Sequence, residues 1–305
     1  MPTLRQFEYL VALADVQNFG RAAAACNVSQ PTLSQQLRAL EERLGVTLIE
    51  RDPSGAHLTP IGREITERAR RLIVEVKDIS ALAQRSDKLV VGTLRLGITP
   101  TLGPYLLPKI VAALHREHPD LRLYIREGIP EEQALALSRG ALDMLLGPLP
   151  IAGSNLEVVP LFREGLAIVA APNHPLTKRT GLTLQDLNAA PVLSLDSRHH
   201  LHRQVAAICA ELGMVLLRDY EGTSLDCVHQ MAASGLGLAI LPELYIKSDV
   251  GGLAGVKVLE PQGWRYTRHI AAAWRSGAAY SHAYRLIAKR IQTDARHRVA
   301  ESDSI

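Results

Sequence analysis

Hydroxyl and imidazole side chains stand directly before three predicted helices in the second part of the chain. The free N–H groups and the dipole at the start of a helix favour an anion, so these residues predict a site for a small carboxylate or an inorganic anion. Serine and threonine at such positions also act as plain N-caps, and that alternative stays open for each pair. The candidate ligand-binding residues are Thr99, Thr101, His199, His200, Thr223 and Ser224.

A metal site is the other chemistry that clustered imidazoles suggest. His199, His200 and His202 crowd one helix start. Adjacent residues rarely point at one ion, and no matching cysteine or carboxylate pattern surrounds them. We therefore predict no metal and no cofactor.

The cysteines also argue against metal or disulfide chemistry. Cys26, Cys209 and Cys227 are an odd number at long, irregular spacing, which excludes a disulfide framework and a zinc module and favours isolated buried thiols. Asp226, Cys227 and His229 contain the residue types of a nucleophile and its base, but Cys227 is spaced like a core residue. We predict no catalytic residues and no enzyme activity.

A different chemistry is predicted near the N-terminus, on the helix that follows Ser29. Leucines recur at spacings of four, three and four along one face, and Gly45 closes the helix. The opposite face carries polar groups able to hydrogen-bond base edges and phosphates in a major groove. The predicted DNA-binding residues are Gln30, Pro31, Thr32, Ser34, Gln35 and Arg38 on this helix, and Arg51 just after it.

Overall charge neither requires nor excludes a nucleic-acid partner. The net charge is +3 and the pI is about 8.8, whereas residues 1–90 hold 12 Lys and Arg against 11 Asp and Glu, a net of +1. Nucleic-acid-binding domains with strongly basic surfaces have a larger excess of Lys and Arg over Asp and Glu. The first residues lack the pattern of a signal peptide, and no apolar run approaches the roughly 20 residues of a membrane span, so we expect a cytoplasmic protein.

The elements that must position the DNA-binding residues form a winged helix-turn-helix over residues 1–58. Three short helices precede two predicted strands, Thr47–Glu50 and Ala56–Leu58, which flank a turn-rich wing. Residues 59–91 predict one long linker helix. An apolar stripe repeats every three or four residues along it, and such a stripe needs a partner helix.

The sequence after residue 91 predicts an α/β domain. From Gly92 onward, apolar strand runs alternate with helical runs, which indicates a mainly parallel sheet whose ligand lies beyond the carboxyl ends of the strands. We predict a two-lobed effector domain over 92–296. Lobe I comprises 92–162 and 268–296, lobe II comprises 163–267, and a polar tail follows over 297–305.

Several segments resemble LysR-type transcription regulators. Residues 21–50, RAAAACNVSQPTLSQQLRALEERLGVTLIE, resemble the helix-turn-helix signature of that family. Segments that begin at Ile98, Pro160 and Ser224 resemble blocks of its regulatory domain in the same order. The resemblance covers nearly the whole chain, up to about Arg290.

The resemblance implies a periplasmic-binding-protein-like effector domain with an inducer between its lobes. It further implies promoter double-stranded DNA as a partner, a homodimer that assembles into a homotetramer, and contact with RNA polymerase. A two-lobed solute binder or an enzyme is the alternative from another class. The helix-turn-helix and the missing signal pattern argue against the binder, and the lack of an organised nucleophile argues against the enzyme.

Within the family, the chain is most similar to the peroxide-sensing branch, yet it departs at the sensing residues. In that branch a peroxidatic cysteine stands where this chain has His200, and Cys209 matches the second cysteine. A threonine of the branch corresponds to Pro130, which we also count among the effector-binding residues, whereas Thr101 is kept. Imidazole forms neither a sulfenic acid nor a disulfide, so we expect a changed signal, with Cys209-based thiol sensing as the alternative.

Overall fold

The computed structural model describes residues 1–52, 55–83, 92–248 and 252–300. The chain separates into two compact units, Met1–Asp87 and Lys88–Ile305. Among the described residues, no helix combines the length and the apolar composition that a bilayer span needs.

The first unit begins with three helices, each started by a side chain that accepts a backbone N–H. Helix α1 (Leu4–Val16) begins with a capping box of Thr3 and Gln6. Asn18 caps α2 (Phe19–Ala25), and Ser29 caps α3 (Gln30–Leu44), which ends at Gly45 in the left-handed region at φ 68°. Such caps satisfy N–H groups that the helix itself leaves unpaired.

The leucine face of α3 forms the centre of this unit. Leu33, Leu37 and Leu40 are fully buried, and they pack in one cluster with Leu10 and Leu13 of α1. Burying side chains of this size contributes about 1.5–3 kcal/mol each. This packing fixes which face of α3 remains outside.

The wing is a two-stranded hairpin of β1 (Ile49–Asp52) and β2 (Gly55–Leu58). Strand β1 begins later than the predicted Thr47 because the Glu41 carboxylate accepts the N–H groups of Leu48 and Ile49 at 2.8 and 3.0 Å. This side chain therefore holds the chain in place between α3 and the hairpin.

A long helix, α4 (Pro60–Ala83), completes the unit. Thr59 accepts the Gly62 N–H at 2.9 Å and so begins the helix. Early in α4, Ala69 is buried and Ile65 is half-buried against the helical core. Farther along, the same apolar stripe is exposed, and residues 84–91 of the predicted linker lie outside the described residues.

The second unit contains a nine-stranded sheet among its described residues. The helices are α5 (Gly103–Glu117), α6 (Pro130–Ser138), α7 (His200–Leu212), α8 (Leu225–Ala233), α9 (Glu243–Ile246) and α10 (Ser281–Ala300). The strands are β3 (Gly92–Ile98), β4 (Leu121–Glu127), β5 (Met144–Pro148), β6 (Leu156–Ala170), β7 (Pro191–Leu195), β8 (Val215–Gly222), β9 (Leu238–Pro242), β10 (Lys257–Leu259) and β11 (Thr267–Arg275).

Two groups of parallel strands are joined by two long antiparallel strands. The order is β4-β3-β5-β11-β6-β9-β7-β8, and β10 pairs with β6. Strands β3, β4 and β5 are parallel, as are β7, β8 and β9. The α/β prediction is confirmed, and the sheet places the carboxyl ends of both groups beside β6 and β11.

Only part of the antiparallel portion is evident from the sequence. The predicted strand begins at Leu166, whereas β6 begins at Leu156, and the sequence predicts no strand at β10 or β11. Both long strands mix polar with apolar residues, because each passes from one group of strands to the other and its neighbours change along its length. Helix α10 also continues to Ala300, into the segment predicted as a tail.

Candidate functional site

The first site is the outer face of α3. Gln30, Pro31, Thr32, Gln35 and Arg38 are exposed, and Ser34 is half-buried. The Thr32 hydroxyl also lies 2.7 Å from the Ser29 hydroxyl, so it takes part in the cap. The structure therefore brings the predicted residues of α3 onto one accessible surface, which has the length and polarity for a major groove.

The hydrogen bonds of Gln6 hold α3 against α1. Gln6 donates to the side chain of Gln36 at 3.1 Å and accepts from Arg43 at 3.1 Å. Sequence reasoning assigned Gln6 only to the capping box, although it is 1% exposed and links both helices. The backbone of Arg51 lies in β1, but its side chain lies outside the described residues.

The second site is organised around a buried ion pair in the regulatory unit. Arg268 of β11 and Glu164 of β6 are opposite each other in the ladder, are 1% and 0% exposed, and join Nε to Oε2 at 2.7 Å. The other Glu164 oxygen accepts the Leu244 N–H at 2.9 Å. Sequence reasoning missed both residues, because a charged pair in adjacent strands leaves no short-range pattern.

The same arginine fixes the loop that follows β3. Its Nη1 donates to the Thr101 hydroxyl at 2.9 Å, and its Nη2 donates to the Thr101 carbonyl at 2.8 Å. Thr101 thus accepts two hydrogen bonds from the guanidinium group. Because each nitrogen of Arg268 donates to Glu164 or Thr101, and the Glu164 carboxylate forms an ion pair with it, the charge of Arg268 is compensated within the protein.

A small recess lies beside this network. Its lining consists of Thr99, Glu131 and Arg203 together with Pro130 and other mainly apolar residues, and its volume is about 30 Å³. Thr99 is 3% exposed, and its hydroxyl has no hydrogen-bond partner. Arg203 and Glu131 form an ion pair of 2.8 Å.

His200 belongs to the same region. Burial lowers the pKa of its imidazole, and the charges of Arg203 and Arg268 add to that effect. Neither His200 Nδ1 nor Oε1 of the neighbouring Gln204 has a hydrogen-bond partner of good geometry. His200 is therefore a neutral polar group at neutral pH.

The other predicted ligand-binding residues, His199, Thr223 and Ser224, are not among those that line the recess of Thr99. His199 is 8% exposed and stands at the N-cap of α7 without a side-chain cap bond, and burial lowers its pKa. Ser224 accepts the Cys227 N–H at 3.2 Å and so is a plain N-cap of α8. Thr223 is exposed, and neither it nor Ser224 lines the recess of Thr99.

Cys209 lies in the core of the regulatory unit. It is 3% exposed, and burial raises its pKa to about 11. At neutral pH it is therefore a thiol rather than the reactive thiolate. Cys227 is exposed and Cys26 half-buried, and the described residues contain no group of three or more metal-ligating side chains.

Both units match models of known protein families. Residues 4–63 match the bacterial regulatory helix-turn-helix protein of the lysR family, and residues 87–296 match the LysR substrate binding domain. The chain belongs to the LysR family. It is a DNA-binding transcription regulator and not an enzyme.

Relatives whose function is described are similar to this chain over nearly their whole length. The hydrogen peroxide-inducible genes activator of Haemophilus influenzae is 34% identical over 96% of this chain and 97% of that protein. The DNA-binding transcriptional dual regulator OxyR of Escherichia coli is 34% identical over 95% and 94%.

Solved OxyR structures match the fold. Full-length OxyR of Pseudomonas aeruginosa, as a cysteine-to-aspartate variant, gives a TM-score of 0.77 at 32% identity and covers 96% of this chain and 98% of that chain. A hydrogen peroxide-bound OxyR variant of Corynebacterium glutamicum gives 0.65 at 30% identity and covers 100% and 97%. The regulatory unit accordingly has the periplasmic-binding-protein-like fold of this LysR branch.

The buried ion pair generates a prediction about stability. Arg268→Met should destabilise the full-length protein by about 3–5 kcal/mol, because it leaves a buried carboxylate without its cation. The double variant Arg268→Met, Glu164→Leu should recover part of that loss. Urea unfolding of both variants measures the difference.

Arg285→Met is the matched control, because Arg285 forms an ion pair with Glu157 at 2.7 Å but is 61% exposed. It should have a much smaller effect, since solvent screens an exposed pair. Equal destabilisation by Arg268→Met and Arg285→Met would contradict the role of the buried pair.

Proposed function

We propose that this chain is a promoter-binding regulator of the OxyR type that senses a small, neutral oxidant of the hydrogen peroxide class. The signal is held without a covalent bond beside Thr99, Thr101 and His200. The relatives support this assignment by their descriptions, and the recess supports it by its size and chemistry. The protein acts in the cytoplasm.

The size of the recess is the observation that carries the proposal. Its volume of about 30 Å³ suits one or two very small molecules, since a single water needs at least about 10–15 Å³. The unpartnered hydroxyl of Thr99, which lines the recess, provides a hydrogen bond for a molecule such as hydrogen peroxide.

The anion expected from the sequence is less well supported. Arg268 is compensated by Glu164, and Arg203 is compensated by Glu131. Ser224 serves as an ordinary cap. With each positive charge paired and one helix start already capped, the site favours a neutral ligand over an anion.

Thiol sensing through Cys209 is the second candidate, and it too would suit a regulator related to a hydrogen peroxide-inducible genes activator. His200 and Cys209 lie nine positions apart on α7, which corresponds to about 14 Å along a helix axis. A disulfide needs Cα atoms about 4.4–6.8 Å apart. A bond between these positions would therefore require α7 to unwind, and His200 supplies no sulfur.

Binding of promoter DNA is assigned to the exposed face of α3, with the wing beside it. The unpartnered end of α4 carries the dimer contact, since Leu72, Val76 and Ile79 are 47%, 37% and 57% exposed. An apolar stripe of this kind is buried by a second helix. We propose a homodimer formed through α4, its assembly into a homotetramer, and RNA polymerase as a further partner.

Alanine variants of the α3 face test the DNA contact. Replacing Gln30, Thr32, Ser34 or Arg38 should weaken promoter binding, by about 1–3 kcal/mol where a bidentate base contact is lost. Arg51→Ala should weaken binding across sequences through a lost phosphate or minor-groove contact. Footprinting at fixed salt measures these changes.

Arg116→Ala is a control, because it removes an exposed cation from the second unit. Thr32→Ser is a second control that keeps the hydroxyl used in the cap of α3. Unchanged footprints for all four alanine variants on α3 would mean that another surface contacts DNA.

Charge in the stripe of α4 tests the dimer. Leu72→Glu or Val76→Glu should dissociate it, because an unpaired carboxylate buried in an apolar contact costs several kcal/mol. Sedimentation reports the oligomeric state. Arg71→Glu, at an exposed position beside the stripe, should leave the dimer intact, and retention of the parent state by both stripe variants would refute the contact.

Substitution of His200 and of Cys209 tests how the protein senses peroxide. Peroxide should form no intramolecular disulfide in the wild-type protein, and Cys209→Ser should retain the peroxide response. His200→Cys should gain peroxide-driven bonding to Cys209 with loss of helix in α7. Non-reducing gels and circular dichroism provide the measurements, and promoter binding provides the functional readout.

Thiol sensing through Cys209 and non-covalent sensing in the recess of Thr99 predict different effects of Cys209→Ser. A wild-type response that disappears in Cys209→Ser would establish thiol sensing and overturn the non-covalent site. A response that persists in Cys209→Ser but is lost in Thr99→Val would support the recess.

A further inference from the structure

A second recess lies in the regulatory unit between β7, α7 and β8. It is lined by Ser194, Ser197, His202, Leu217, Arg218 and Glu221, among others, and its volume is about 390 Å³. It shares no lining residue with the recess of Thr99. The proposed function makes no use of it.

An irregularity in the pairing of two parallel strands accompanies this recess. Val192 of β7 is opposite Leu216 of β8, but Ser194 is opposite Glu221. The register therefore shifts between Leu216 and Glu221, and both of these residues line the recess. Departures of this kind commonly stand next to binding sites.

The floor of the recess contains a buried hydroxyl without a partner. Ser194 is 5% exposed, lines the recess, and its Oγ makes no hydrogen bond. A buried polar atom of this kind costs free energy that a bound polar ligand can recover. Ser194 therefore points to a ligand rather than to a purely structural gap.

His202 adds an acceptor of defined orientation. Its Nδ1 lies 2.7 Å from the Leu195 carbonyl, and because a carbonyl only accepts, Nδ1 carries the hydrogen. In the neutral imidazole, Nε2 is then an acceptor. The recess consequently offers an imidazole acceptor together with the hydroxyls of Ser194 and Ser197.

Two exposed residues of opposite charge complete the lining. Arg218 offers a planar cation suited to a carboxylate, and Glu221 offers an anion suited to an ammonium group. Ala206 and Leu217 supply an apolar wall. A ligand that matches this lining has a carboxylate, an ammonium group and a short aliphatic portion.

We infer that this recess binds a small aliphatic amino acid as a second, independent ligand of the regulator. The carboxylate pairs with Arg218 and the serine hydroxyls, and the ammonium group pairs with Glu221 and Nε2 of His202. Because His202 and Ala206 lie on the same helix as His200 and Arg203, the ligand acts on α7 and can adjust the response at the first recess.

Isothermal titration calorimetry of the full-length protein with L-leucine tests this inference. Two analogues of the same carbon skeleton are titrated beside it: 4-methylpentanoate, which lacks the ammonium group, and isoamylamine, which lacks the carboxylate. Leucine should bind, and each analogue should bind at least about tenfold more weakly, since a tenfold change corresponds to the loss of one modest interaction. No binding of leucine at millimolar concentration, or equal binding of all three compounds, would overturn the proposal.

Variants locate the site and separate it from the peroxide recess. Ser194→Ala and Arg218→Gln should each weaken leucine binding at least about tenfold, whereas Thr99→Val should leave it unchanged. Ser194→Ala should also fold normally, because it removes an unpartnered hydroxyl. Leucine binding that is lost in Thr99→Val and kept in Ser194→Ala would place the ligand in the first recess and refute the second site. Failure of leucine to bind would leave the peroxide response intact, so the two proposals fail separately.

Discussion

The regulatory unit depends on the buried ion pair of Arg268 and Glu164. Removing two charges from water is costly and is offset only when their hydrogen bonds are complete. Here both Glu164 oxygens are used, and Arg268 also donates to the hydroxyl and carbonyl of Thr101. The strands β6 and β11, the loop after β3 and the start of α9 must therefore keep one arrangement.

This requirement defines the chemistry beside the pair. Because the charge of Arg268 is paired with that of Glu164, the adjoining recess, whose lining is mainly apolar with a few polar groups, is not strongly positive. His200 is kept neutral by burial and by nearby guanidinium groups, and Cys209 is kept as a thiol by its position in the core. A scaffold similar to OxyR thus presents hydrogen-bonding groups where thiol chemistry would need sulfur and a thiolate.

Helix α7 connects the functional parts of this unit. Arg203 of its first turn lines the first recess, and His202 and Ala206 line the second. Cys209 lies on the same helix within the core. Both proposed sites therefore include residues of one helix, and a helix is a stiff element whose turns are linked by backbone hydrogen bonds.

The sequence by itself determined the features that depend on neighbouring residues. Ser29, the leucine repeat and Gly45 specified α3 and its polar face, and the LysR resemblance specified the order of the units. The long strands β6 and β11 could not be read in the same way, because their partners change along their length. Only the tertiary structure decided that Arg268 meets Glu164 and Thr101, that Ser224 is a plain cap, and that Ser194 lies unpartnered beside a recess. The contacts of Arg268 join residues far apart in the chain, for which no local spacing carries a signal, whereas the cap of Ser224 is a local contact that the sequence allowed but did not decide.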